Sequence, residues 1–233
     1  MRIKLRETNK EEENENMFFK KREKPFKEKS LNKNSKGDDI GDIKDLYVVA
    51  GLGNPGDKYV NTKHNVGFAA IELLAERHDV KLNKVKFKGL WGEGKIAGRK
   101  VILIKPQTFM NLSGESIKAI SDWYKIPQER IIVVFDDIDI SIGEVRIKRN
   151  GSAGTHNGMK SVIYKLGKDN FPRVKIGVGP KPEGWNLADY VLSKFTPKEL
   201  ETIEKSVERA ALAVEEMIAK DIDIAMCKYN GLI

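Results

Sequence analysis

Two of the chain's three histidines are each followed at once by asparagine, in Thr62-Lys63-His64-Asn65-Val66-Gly67 and in Gly154-Thr155-His156-Asn157-Gly158-Met159-Lys160-Ser161. An imidazole beside a neutral amide joins a proton acceptor to a hydrogen-bond fork, a pairing that can hold a polar substrate while a proton moves. Such a base needs an anionic partner to orient it, and Asp136-Asp137-Ile138-Asp139 offers carboxylates directly after the apolar run Ile131 to Phe135. Two further neutral amides stand in short polar segments, Asn54 in Gly51-Leu52-Gly53-Asn54-Pro55-Gly56 and Asn111 in Phe109-Met110-Asn111-Leu112-Ser113-Gly114. Asn111 precedes a predicted helix; from residue type it is read as the cap of that helix in preference to a ligand contact.

Other chemistries fit the chain less well. Gly51 to Gly56 matches GxGxxG, but Pro55-Gly56-Asp57 reads as a turn and the next helix starts some ten residues later, so a dinucleotide phosphate would find no helix N-terminus. The glycines are read instead as allowing a close backbone approach and aiming Asn54. With one cysteine, Cys227, and only His64, His78 and His156, a zinc site would have to recruit carboxylates, and no HExxH or CxxC spacing exists. The expectation is a mechanism with no metal and no cofactor. Arg146, Lys148, Arg149, Lys160, Lys165, Arg173 and Lys175 are singly ordinary solvated charges, but around a histidine-bearing loop they read as a phosphate track.

The elements that must position these residues follow from hydropathy. Strands are predicted at Leu46 to Ala50, Val101 to Ile104, Ile131 to Phe135, Val145 to Lys148 and Val174 to Val178, and helices at Val66 to His78, Ser113 to Tyr124 and Asn157 to Leu166, the last closed by Gly167. The capping pattern Thr196-Pro197-Lys198-Glu199 opens a long helix to Lys220. This alternation predicts one α/β domain over 46–233, with a mixed, mostly parallel central sheet flanked by helices. Residues 1–45, crowded with Lys, Glu, Asn and Asp, are expected to be a disordered extension, and Met17 is an alternative start. The glutamates at 11–13 and 15 argue against a mitochondrial transit peptide.

The net charge of +8 suits a polyanionic partner, and charge alone fits a nucleic acid, an anionic membrane surface or simple solubility alike. No apolar run reaches the ~18 residues that would span a bilayer, so the protein is expected to be soluble, and no membrane is expected among its partners. A lone cysteine forbids an internal disulfide and points to a reducing compartment, here the cytoplasm.

Taken together, GLGNPG with Tyr59, TKHN at 62–65, PQTFMNLSG at 106–114, FDDIDI at 135–140 and GSAGTHNGMKS at 151–161 resemble bacterial-type peptidyl-tRNA hydrolases in order and spacing, from about Leu46 to the end. The resemblance implies hydrolysis of the ester between a peptide and the terminal ribose of tRNA, by a cytoplasmic monomer that recycles tRNA from prematurely released peptidyl-tRNA. It implies His64 as the general base, Asp136 as the carboxylate that orients it, and Asn54 as the amide that distinguishes blocked from free aminoacyl ends. Tyr59, Asn65, Phe109, Met110, Asn111 and Asn157 match substrate-contacting positions, and Lys148 and Lys175 match a pair that clamps the tRNA 5′ phosphate. His156 receives no chemical task. Three residues depart from the family pattern: Lys175 where arginine is frequent, Thr155 where glycine is usual, and Asp137 in place of a more common glutamate. The rival reading is a non-catalytic RNA-binding relative on the same fold, which retention of His64, Asp136, Asn54 and Asn111 disfavours.

Overall fold

The computed structural model describes residues 45–232; the expectation for the N-terminal extension lies outside them. Those residues form one α/β domain. Strand β1 (Tyr47–Gly51) and strand β5 (Ile131–Asp137) are nearly all apolar because both faces are covered, as in parallel sheets generally. They pair with each other and with β4 (Arg99–Pro106) and β7 (Arg173–Gly177) to give a parallel core ordered β4-β1-β5-β7. Antiparallel strands extend it on both sides. Hairpin strands β2 (Lys84–Lys86) and β3 (Gly89–Ile96) flank β4, while β6 (Glu144–Lys148) and β8 (Gly231–Leu232) flank β7.

Helices α1 (Val66–Arg77), α2 (Ser113–Tyr124) and α3 (Asn157–Leu166) fall within the predicted spans. Helix α3 ends on Gly167 in the left-handed region, as its sequence requires. The long helix α5 (Pro197–Ala219) opens with a complete capping box, in which Thr196 and Glu199 satisfy each other's backbone N–H groups. It buries Ile203, Val207, Ala210, Val214 and Ile218 and packs against α1, where Glu215 binds both Arg77 and His78. His78 is therefore an interhelical tie. Strands β2, β3 and β8 and the short helices α4 (Leu187–Leu192) and α6 (Ile222–Tyr229) were not expected from the sequence. No helix among the described residues is long and apolar enough to cross a membrane.

One close approach positions the site. A Cβ at Gly51 would lie 2.1 Å from the Gly67 carbonyl oxygen, and a Cβ at Gly67 would lie 2.5 Å from the carbonyl oxygens of Leu52 and Val134. Only glycine on both sides lets the first turn of α1 rest on the C-terminal ends of β1 and β5. The object approached by the Gly51-Leu52-Gly53 backbone is thus the helix that follows His64-Asn65.

Candidate active site

His64 sits in the single 3₁₀ turn Lys63–Asn65 at the head of α1, and Asp136 at the carboxyl end of β5. The two meet because α1 rests on that end of the sheet. His64 Nδ1 lies 2.8 Å from Asp136 Oδ2 and 2.9 Å from Oδ1, and both side chains are buried. Burial works to lower the imidazole's pKa, but the Asp136 charge and hydrogen bond outweigh it and the pKa is raised. Burial would raise that of Asp136; the adjacent His64 and His156 prevail and hold the carboxylate well below its usual range. Asp136 therefore stays ionised, keeps a proton on Nδ1, and leaves Nε2 of neutral His64 as the acceptor.

The second histidine joins the same carboxylate. His156 caps α3, its Nδ1 accepting the Met159 N–H at 3.1 Å, while its Nε2 lies 3.0 Å from Asp136 Oδ1. A backbone donor aimed at Nδ1 fixes the tautomer: the proton must be on Nε2, which donates to Asp136. His64, Asp136 and His156 have the residue types of a metal site, with candidate ligand atoms within 4.8 Å. However, the His156 lone pair is already committed to Met159 and the remaining contacts are proton-mediated, so the trio is built as a hydrogen-bonded network around one carboxylate. The rest of the carboxylate cluster serves other ends, since Asp137 accepts from the Asp139 N–H and from Lys175 Nζ at 2.6 Å.

Asn54 is buried and held from two sides. Its Oδ1 accepts the Met110 N–H at 2.9 Å, and its backbone N–H and C=O are bound by the Asn65 side chain at 2.9 and 3.0 Å. The first contact leaves the Nδ2 donors of Asn54 for the cavity that it lines; the second commits the amide of Asn65 to the backbone of Asn54. The cavity has a volume of about 650 Å³, and besides Asn54, His64, Asp136 and His156 it is lined by Tyr59, Phe109, Met110, Asn111, Asn157 and Lys175. Its other wall is α4, through Leu187, Ala188, Val191 and Leu192, which no motif marked.

Two expectations are corrected. Asn111 is not the cap of α2: a 3₁₀ turn, Met110–Leu112, precedes the helix, and the cap position falls on Leu112 with no side-chain hydrogen bond. Asn111 is instead exposed on the cavity lining. Arg173 is not part of a phosphate track either. It is fully buried, and its guanidinium donates to the carbonyls of Asp169, Phe171, Gly151 and Ser152, pinning the loop before His156. Arg146, Arg149 and Lys165 are paired with Glu144, Asp223 and Glu115. Lys148 remains exposed on β6, on the same sheet face as Lys175 and two residues away in register, a diagonal of about 7–8 Å.

The chain matches the family model described as peptidyl-tRNA hydrolase over residues 48–232. It is 56% identical over 186 residues to the peptidyl-tRNA hydrolase of Alkaliphilus metalliredigens, covering 80% of this chain and 100% of that protein. To that of Alkaliphilus oremlandii it is 52% identical with the same coverage. Among solved structures, the peptidyl-tRNA hydrolase of Acinetobacter baumannii superposes with a TM-score of 0.77 at 32% identity, covering 82% of this chain and 98% of that one. With the family model spanning nearly the whole α/β domain and close relatives matched end to end, the chain belongs to the peptidyl-tRNA hydrolase family.

Proposed function

We propose that the protein hydrolyses the ester joining a peptide's C-terminal carbonyl to the ribose of the 3′-terminal tRNA adenosine, releasing free tRNA and peptide. The observation that carries this reading is the contact of His64 Nδ1 with Asp136, whose carboxylate is fixed in turn by His156. His64 Nε2 takes a proton from water as the water attacks the carbonyl, and Asp136 stabilises the imidazolium that forms. The tetrahedral intermediate then collapses with cleavage of the ester C–O bond, the ribose oxygen leaving with the proton returned from His64. An ester is a comparatively easy target, so a positioned base supplying about 10²- to 10⁴-fold, with amide donors on the developing oxyanion, suffices.

Asn54 directs its Nδ2 donors at the carbonyl side of the substrate, held in that orientation by Met110 N–H and, through its backbone, by Asn65. Asn111 and Asn157 hydrogen-bond the peptide backbone, while Tyr59, Phe109 and Met110 pack against the peptide and the terminal adenosine. Neutral amides suit a substrate whose amine is already acylated, because they offer no countercharge to a free ammonium. Lys148 and Lys175 grip the 5′ phosphate, with Lys175 sharing its charge with Asp137. The α/β domain, 46–233, carries the activity as a cytoplasmic monomer, with residues 1–45 as an extension. The test is release of tRNA from N-acetylated aminoacyl-tRNA in the presence of EDTA, set against unblocked aminoacyl-tRNA. Equal rates on both substrates, or turnover abolished by chelation, would contradict the mechanism.

A further inference from the structure

The residue before the base is a lysine, and it is buried: Lys63 is only 3% exposed. Its ammonium lies 3.4 Å from Ser193 Oγ, 3.4 Å from the Lys194 carbonyl and 3.9 Å from Glu199 Oε1, against the rings of Phe195 at 4.7 Å and Tyr190 at 5.0 Å. All five partners belong to the stretch 190–199, which joins the end of α4 to the first turn of α5. Backbone contacts run in parallel. The Lys63 N–H donates to the Ser193 carbonyl at 3.1 Å, the Phe195 N–H to the Asn61 carbonyl at 3.3 Å, and Thr62 bridges Lys194.

Each partner is itself fixed. Glu199 accepts the Thr196 N–H on its other oxygen in the capping box, and the Tyr190 hydroxyl donates to the Val178 carbonyl at 2.9 Å. Burying an ammonium is unfavourable unless it is surrounded by acceptors and ring faces. Burial does lower the Lys63 pKa, with Glu199 opposing the shift. A solvated lysine would have served if this position only closed a loop. What the cage joins is specific: the turn that carries His64 on one side, and on the other the α4 wall of the cavity, through Leu187, Val191 and Leu192.

We propose that Lys63 is a positioning residue that holds the α4 wall against the His64 turn and so sets the affinity for the peptide part of the substrate. The proposal rests on the hydrolase reading above. His64 is oriented separately by Asp136, and α4 supplies no group to the proton transfer. Loss of the ammonium therefore acts on binding and leaves the chemical step in place.

The experiment uses the full chain and its Lys63→Met, Lys63→Arg and Glu199→Gln variants, with N-acetyl-aminoacyl-tRNA as substrate and amide hydrogen exchange of Tyr190 to Phe195 as a second readout. Lys63→Met is expected to raise KM about tenfold while kcat and the acidic limb of the pH profile stay in place, and to speed exchange across 190–195. Lys63→Arg is expected to restore most of both effects, because charge and ring contacts persist. Glu199→Gln should move both in the same direction by less, and it keeps the test open if Lys63→Met does not fold. Native KM and native exchange in Lys63→Met would overturn the proposal, as would a fall in kcat with a displaced pH limb. An inactive native protein with the exchange result intact would count against the hydrolase reading alone.

Discussion

His156 donates to the carboxylate that orients His64: its Nε2 lies 3.0 Å from Asp136 Oδ1, and its own tautomer is set by the Met159 N–H on Nδ1. The two His-Asn pairs, alike in sequence, are thus a base and a brace on either side of one anion. Replacing His156 by Ala removes one of the donors that keep Asp136 ionised, so the carboxylate becomes more basic and holds the His64 proton more tightly. The expected result is a kcat lowered by about 10- to 100-fold with the acidic limb of the pH profile moved to higher pH. A rise in KM alone, with the limb unmoved, would assign His156 to substrate contact only.

The pH dependence of the native protein follows from the same pair. Catalysis needs neutral His64, and Asp136 raises its pKa above the ordinary 6.5, so kcat/KM is expected to climb with pH through a midpoint above that value. In Asp136→Asn the raising charge is gone and burial remains, so the midpoint is expected to fall. The rate drops by about 10²- to 10⁴-fold, since the tautomer is no longer enforced. A pH–rate profile of each protein on N-acetyl-aminoacyl-tRNA checks both the direction and the loss.

Asn65 illustrates a role that a substrate-contact reading alone would hide. Its side chain makes two hydrogen bonds to the backbone of buried Asn54, and Asn65→Ala would leave that N–H and C=O unpaired. The expected cost is about 1–3 kcal/mol of stability in urea denaturation, accompanied by lower kcat/KM as Asn54 loses its aim. Full stability with only a raised KM would show that Asn65 acts on substrate instead.

The basic strand separates into two classes of cation. Exposed Lys148 is expected to contribute to tRNA binding through charge: Lys148→Ala should raise KM, leave kcat in place and reduce the salt slope by about 0.7–0.9. Buried Arg173 has its guanidinium committed to backbone carbonyls, so Arg173→Ala is expected to lower the melting temperature strongly and to act on binding only through the loop at 151–152. Salt titrations of KM alongside thermal melts distinguish the two.

The sequence made the parallel core legible because β1, β4 and β5 carry buried, uninterrupted apolar runs, because Val174 and Ile176 alternate with cations in β7, and because Gly167 and the Thr196–Glu199 box punctuate their helices. The β2–β3 hairpin was not legible. Its turn places Phe87 and Lys88 at φ of 57° and 53°, with none of the Gly or Asn residues that usually mark such turns. Strand β3 also carries glycines that dilute its alternation, and Gly92 is needed because a Cβ there would lie 2.3 Å from the Lys81 carbonyl oxygen.

In the site, the residues pointed to a carboxylate of the 136–139 cluster as the orienter of a histidine, but the specific pairing of His64 with Asp136, 72 residues apart, came from the family resemblance. The bracing role of His156, the capture of Asn65 by Asn54 and the burial of Lys63 are tertiary facts that residue type conceals. Lysine reads as a solvated charge until a fold closes around it. Asn111 misled in the opposite sense: a single 3₁₀ turn shifted the helix cap by one residue and left the asparagine facing the cavity.

The role of His64 as the base, oriented by Asp136, is tested by single-turnover hydrolysis of N-acetyl-aminoacyl-tRNA by the native protein and by His64→Asn, with tRNA affinity measured in parallel. The first-order rate is expected to fall by about 10³-fold or more while the tRNA Kd changes less than about threefold. A His64→Asn protein that turns over within about tenfold of native, or one whose lost rate is matched by lost affinity, would contradict a base at His64.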